Sequence, residues 1–407
     1  MSLDNLAVDF SSRYNQLGAK QGLDEAIVLD REALDLRPQG HPYRPVSLNN
    51  LAVNLSIRYK QLGATEDVDE AIVLVREALD LCPQGHPLRS GSFHNLSLHL
   101  SSRYKQLGAM EDLDEAIVLA REVLHIFPQR HPDRAMSLSN LAAHLSSRYK
   151  QLGAMQDLDE AFVLGREALD LRPRGHPDRA MSLNNVAVHL SFRYNQLGVI
   201  QDLDEAIVFD REALDICPQG HPDRSMALNN LAIRLFFRYQ QIGAMQDVDE
   251  AIVLVREALN LLQQGHPDRA MSLNILAFHL ASRYKHLGAM EDLDQAIVLA
   301  REALDCCLPG HPDWAATLNN IAAHLSSRYN QLGAMDDLDE AIVIAREALD
   351  VFPQGHPDRT MSLNNLAVIS PLGTDSSEQC GISMRPLSLT EKHWTFAHKG
   401  TLIGQCL

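Results

Sequence analysis

Aromatic residues are scarce in this chain: Phe, Trp and Tyr make up 5% of 407 residues. Any core must therefore be packed from Leu, Ala, Ile and Val, and an apolar share of 45% is enough to build one. Basic residues are in deficit, 36 against 53 acidic, which leaves a net charge of −17. That balance argues against a nucleic-acid binder, which needs a basic footprint for phosphates. It is compatible with basic or neutral peptide partners. No run approaches the roughly 18 apolar residues of a membrane span. The N-terminus lacks a basic-then-apolar secretory leader. Zinc-like CxxC pairs and a phosphate loop of the form GxxxxGK[ST] are also missing, so neither a structural zinc nor a nucleotide is expected.

Six cysteines are present, but they do not form a framework. Cys82, Cys217 and Cys307 share a position that elsewhere holds Arg37, Phe127, Arg172, Leu262 and Phe352. A disulfide scheme would not let its cysteine alternate with Arg and Phe. Reduced thiols and a cytoplasmic protein are the expectation.

What the chain has is a period. His-Pro returns at His41, His86, His131, His176, His221, His266, His311 and His356, always 45 residues apart. Repetition of this length signals an array in which each unit touches mainly its neighbours. Each unit reads as two helices. Helix A of one unit spans about Arg44 to Leu62, with Leu48, Leu51, Ala52, Leu55, Tyr59 and Leu62 on one face. Pro42 suits a first turn, and Gly63 is a natural left-handed stop. Helix B is expected to start at Asp67 as N-cap, with Glu70 completing a capping box. Val68, Ala71, Ile72, Val75, Ala78 and Leu79 line its buried face.

Two such helices cannot bury their faces alone, so neighbouring units must cover them. The expected fold is all-α, a right-handed superhelical solenoid of eight helix-turn-helix repeats. Residues 1–369 form the array, counting a truncated ninth helix A, and 370–407 lose the period and read as a disordered tail. Leu3, Leu6 and Phe10 have no polar capping helix before them, which offers a route to self-association.

At Asn50-Leu51-Ala52, then Ala71, Ala78 and Pro83, the unit resembles a tetratricopeptide repeat. The period here is 45 rather than the family's usual 34, with seven extra residues between Ala52 and Ala71 and four in the His-Pro loop. Seven residues is nearly two helical turns, so a longer hairpin keeps its apolar phase. The Leu-Asn-Asn-Leu-Ala and His-Pro segments look like the long repeats of kinesin light chain, and the fuller pattern like fungal arrays often joined to caspase-like CHAT domains. The resemblance implies a scaffold that binds an extended peptide on its concave helix-A face. The alternative it implies is the regulatory half of a CHAT-type protease whose catalytic domain lies outside this sequence.

Helix A supplies the candidate binding residues. Asn5, Asn50, Asn95, Asn140, Asn185, Asn230, Asn320 and Asn365 share one position, broken only by Ile275. In related superhelices the matching asparagine forms a ladder along the groove. A carboxamide both donates and accepts, so it can pair with a peptide backbone whatever the peptide's side chains. The competing reading is an amide bonded within its own array or to water. Four residues on come His99, His144, His189, His279 and His324, and four further Arg103, Arg148, Arg193, Arg283 and Arg328. Steps of four share a helix face, so this stripe reads either as a basic lining for an acidic peptide or as a solvated face with Arg paired to helix-B carboxylates. In the first case affinity should rise as the histidines charge below about pH 7. One His per unit is too sparse for a metal site, and no cofactor is expected. Identical residues in eight copies suit a scaffold better than a catalytic centre, which is a unique constellation. The chain is therefore not expected to be an enzyme.

Overall fold

In the computed structural model, residues 20–369 are described except 130, 267, 308–311 and 352–358. The expected tail and the uncapped Leu3, Leu6 and Phe10 lie outside these residues. The chain groups into two compact units, Met1–Pro222 with Gly265–Pro267, and Asp223–Gln264 with Asp268–Leu407. No strand occurs among the described residues.

In the first unit lie α1 (Lys20–Asp35), α2 (Arg44–Leu62), α3 (Thr65–Asp80), α4 (Arg89–Leu107), α5 (Met110–Ile126), α6 (Arg134–Leu152), α7 (Met155–Asp170), α8 (Arg179–Leu197) and α9 (Ile200–Ile216). The second unit holds α10 (Arg224–Ile242), α11 (Met245–Leu261), α12 (Arg269–Leu287), α13 (Met290–Asp305), α14 (Pro312–Leu332), α15 (Met335–Val351) and α16 (Arg359–Ile369). Even-numbered helices are the A helices and odd-numbered ones the B helices. Within each unit every A helix packs against the B helix that follows and the one that precedes it. One core runs through these layers: Leu23 and Ile27 of α1, Leu51 and Leu55 of α2, Val68 and Ile72 of α3, and Leu96 and Leu100 of α4 belong to a single buried cluster. This is an all-α repeat array.

The hairpin between A and B is set by glycine. Gly63 ends α2 in the left-handed region at φ 68°, and its N–H donates to the Tyr59 carbonyl at 2.8 Å. The αL stop avoids a Cβ penalty and satisfies a terminal carbonyl. The expected capping box does not form. α3 begins at Thr65 after an extended Ala64 with no side-chain cap, and Asp67 sits inside its first turn. Its carboxylate is occupied by Arg58, which donates from Nε at 2.8 Å and from an Nη at 2.7 Å. Glu70 instead pairs with Arg31 of the preceding B helix at 2.8 Å. Two charge-assisted bonds to a guanidinium outweigh one bond to a backbone N–H, so the aspartate serves as a clamp.

Candidate functional site

That clamp decides where the arginine stripe points. Arg103 donates to Asp112 at 2.7 and 2.6 Å and to Asp69 of the preceding B helix at 2.9 Å. Arg148 repeats this with Asp157 and Asp114, Arg283 with Asp292 and Asp249, and Arg328 with Asp337 and Asp294. Arg193 reaches Asp202 at 3.3 Å and lies over the Phe162 ring at 4.6 Å. Hydrogen bonding to these aspartates holds Arg103, Arg148, Arg283 and Arg328 above the ordinary arginine range. Asp337 is correspondingly held below the usual carboxylate range by Arg328. Asp202, with its longer contact to Arg193, is raised by burial. Each of these arginines ties its A helix to a B helix by a carboxylate, and none stands as an open groove lining.

The histidines are also withdrawn. His99, His144, His189, His279 and His324 are all buried. Burial lowers His99 and His189 to about 4 and His144 and His279 to about 3. For these four rings the expectation of charging near neutrality is therefore corrected, and all five side chains face the packed interior. His189 Nδ1 meets Ser146 Oγ at 2.9 Å, and His279 stacks on Phe236 with centroids 4.9 Å apart. The reason is geometric. Four residues turn an α-helix by about 400°, so each step of four drifts by about 40°. Two such steps carry the stripe from the open face round to the B helices.

The face that stays open follows alternating steps of three and four. In α2 it is Val46, Asn50, Val53, Ile57 and Lys60; in α4, Gly91, Asn95, Leu98, Ser102 and Lys105; in α6, Met136, Asn140, Ala143, Ser147 and Lys150. Ser147 is the one buried member, while Val53, Leu98 and the three lysines are exposed. Lys60, although exposed, is held below the ordinary lysine range by desolvation, because protein surrounds its ammonium. In α8 the stripe closes over: Val188 and Phe192 are buried, and the Lys150 ammonium sits over the Phe192 ring at 4.9 Å.

The asparagines divide by position. Asn50, Asn95, Asn140, Asn185 and Asn320 are half-buried on the A helices, whereas Asn230 is buried. A role for Asn230 on an accessible face is thereby corrected. Asn95 Nδ2 donates to Asn49 Oδ1 at 3.1 Å, and Asn49 Nδ2 donates in turn to Ser92 Oγ at 2.9 Å. Asn140 Nδ2 meets the His94 ring at 3.3 Å. The amides of Asn95 and Asn140 thus spend their N–H groups within the array and keep a carbonyl oxygen to accept with. Asn229, Asn274 and Asn319 of the second unit repeat the Asn49 bond, to Ser272, Thr317 and Ser362. At Asn49, Asn229, Asn274 and Asn319 this position is therefore an interhelical tie that sequence reasoning missed, whereas Asn184 is buried without a hydrogen-bond partner among the described residues. The recurrence of asparagine one residue before the ladder was the available signal.

A cavity of about 430 Å³ opens in the first unit where the N-terminal turns of α2, α4 and α6 meet. Asn49, Asn50, Gly91, His94 and Asn95 line one side, with Phe127 and Met136 opposite. Phe127 and His131 stack there with centroids 4.0 Å apart and planes 7° from parallel. Among the described residues no group of three His, Cys, Asp or Glu side chains is placed to hold a metal ion. No described helix is long and apolar enough to cross a membrane.

The family profile for the tetratricopeptide repeat matches residues 134–178, 225–268, 269–313 and 314–358. Among solved structures, a human IFIT1 dimer with PPP-AAAA is similar over 87% of this chain and 69% of that one, at 14% identity and a TM-score of 0.54. A Podosopora anserina putative kinesin light chain with nearly identical TPR-like repeats aligns over 56% of this chain and 100% of that one, at 24% identity and a TM-score of 0.39. BtubC from P. vanneervenii aligns over 69% and 97%, at 18% identity and a TM-score of 0.38. No curated protein matches the chain.

Proposed function

We propose, on the premise that the chain is an array of tetratricopeptide repeats, that it is a protein-interaction scaffold binding an extended peptide along the open face of its A helices. One observation carries this reading. In α2, α4 and α6 an open stripe runs along the helix, and its second member is an asparagine whose carbonyl oxygen has no partner among the described residues. Neighbouring helices packed roughly 8–10 Å apart set those oxygens about three residues of extended strand apart. A strand laid across them offers backbone N–H groups at matching intervals. Charge is tuned by Lys60, Lys105 and Lys150, which lie on the same stripe, and not by the buried histidines.

Protein is favoured over nucleic acid because the net charge is −17 and the repeated arginines are committed to aspartates. The free, buried thiol of Cys82 suits a reducing compartment such as the cytoplasm. No observation favours the regulatory-module reading over the scaffold.

The test is panning of a displayed random-peptide library on the intact chain, with the selected peptides assayed against a variant carrying Asn50→Ala, Asn95→Ala and Asn140→Ala. Binding should fall by about tenfold or more, at one to two hydrogen bonds' worth of affinity, with helicity by circular dichroism unchanged. A 5′-triphosphate RNA serves as the contrasting probe and should not bind. Affinity unaltered by the three substitutions, or tighter binding of the RNA than of any peptide, overturns the proposal.

A further inference from the structure

Near-identical repeats create a difficulty for a track that reads an extended strand. A strand displaced by about three residues meets the next asparagine and the next stripe, so successive registers are nearly equal in energy. Register must come from something that occurs once. Gly91 is such a feature: the same position holds Val46, Met136, Met181, Met226, Met271, Ala316 and Met361 in the other units. A Cβ built at Gly91 meets nothing within 4 Å. The missing side chain opens onto the cavity between α2, α4 and α6. One further departure lies there. His94 stands where other repeats have Asn, Ser or Asp, and the wall opposite carries Phe127 stacked on His131.

We propose that this cavity is the register-setting anchor pocket of the open face, and that it takes one bulky, uncharged side chain of the bound strand, aliphatic or aromatic. The inference rests on the peptide-binding reading above and deepens it. The pocket's chemistry selects the guest. Val46, Leu88, Phe127 and Met136 give it apolar walls, and Asn50 and Asn95 stand at its side to receive the strand's N–H groups. Its one carboxylate, Asp133, is exposed, and an oxygen of it lies 3.9 Å from His131 Nδ1. The His94 ring is held below its ordinary pKa by desolvation and is neutral at pH 7. A charged guest would lose hydration with no buried counter-charge in the wall to replace it. The pocket, of about 430 Å³, is partly open to solvent and has room for one large side chain.

Peptides selected on the intact chain from a random display library should share one Leu, Ile, Met or aromatic residue at a fixed place. Gly91→Met, which installs the residue found in most other repeats, should weaken them by about tenfold or more. Replacing the peptide's anchor with Ala should weaken the wild type by a similar factor and have little further effect on the Gly91→Met chain. Gly91→Val, which installs the residue found at Val46, provides a second filled pocket if the methionine variant fails to fold. Peptides that lose affinity on the triple asparagine substitution yet bind both filled variants as tightly as wild type overturn the pocket and leave the face intact. A charged consensus anchor also overturns it. Peptides indifferent to both sets of substitutions overturn the face itself.

Discussion

The same repeat positions end in opposite states in α2 and α4 of the first unit and in α10 and α12 of the second. In α2 and α4, Val53 and Leu98 are 38% and 37% exposed, beside half-buried asparagines. In α10 and α12 the equivalent residues Ile233 and Phe278 are buried, and so are Asn230 and Ile275 on the ladder position. The backbone does not account for this, since all these helices begin at the repeat's arginine and stop at a left-handed glycine. Side-chain volume does. The position held by Ser56 and Ser101 becomes Phe236, whose ring meets Phe278 edge-on at 5.0 Å and stacks on His279 at 4.9 Å. A repeat therefore does not by itself make a binding surface. Small residues at a few positions leave the A-helix face open, and large ones turn it into core.

The comparison breaks most visibly at Phe236. Phe236→Ala should cost the second unit about 3–5 kcal/mol, the range for truncating a buried aromatic. Ser101→Ala, its counterpart in the first unit, should stay within about 0.5 kcal/mol. Urea midpoints measured for both variants on the full chain decide the matter. Equal shifts would mean that the aromatic cluster is not what seals α10 and α12.

Acid acts on both units alike, and so separates the open face from the interior behind it. The unfolded chain's histidines protonate near 6.5, whereas folded His99 and His189 do so at about 4 and His144 and His279 at about 3. Between those values the unfolded state binds more protons. The stability these rings contribute is fully present above about pH 6.5 and is lost as pH falls toward 4. Each should cost about 2 kcal/mol by pH 5. His99→Gln with His144→Gln should flatten the slope of stability against pH. The buried rings, by contrast, should contribute nothing to peptide affinity from pH 7.5 to 6, so His99→Gln with His144→Gln should leave the profile of affinity against pH unchanged. A profile altered by those substitutions would restore these histidines to the binding surface.

Much of the fold was legible because repetition multiplies a weak signal. The bounds of α2, the apolar faces and the left-handed glycine all follow from spacing that recurs eight times. The site was less legible. Asn50, Asn95 and Asn140 were recognisable as a series, but extending them by steps of four follows a path that leaves the open face. Spacing alone could not have corrected it, since Asn50, Val53, Ile57 and Lys60 drift by about 80° in one sense and the steps of four by about 80° in the other. The available signal lay in the residue 24 places upstream of the histidine position. Asp30 precedes Asn54 and bonds to it at 2.7 Å, while Gly165 precedes His189 and touches it. A polar partner thus meets a polar residue, and a small one makes room for a ring. That pairing marks the position as interior. Asp67 was misread as a cap because its competitor, Arg58, is nine residues away and on another helix, where local capping rules do not look.

The smallest effect sets two glycines against each other. Gly91 and Gly165 both sit inside helices, and both should carry the usual helix penalty relative to alanine. At Gly91 a methyl group meets nothing within 4 Å, so Gly91→Ala gains helix propensity without a clash and should stabilise by about 0.5 kcal/mol. At Gly165 the added Cβ lies 3.0 Å from His189 Cδ2 and 3.4 Å from Val186 Cγ2. His189 is buried and bonded to Ser146, so it has little room to retreat. Overpacking of this kind costs about 1–3 kcal/mol, which exceeds the propensity gain, and Gly165→Ala should destabilise by about 1 kcal/mol. Thermal midpoints of the two variants should therefore move in opposite directions. If both rise, the His189 side is softer than its burial implies. If both fall, Gly91 holds its helix for a reason other than leaving the cavity open.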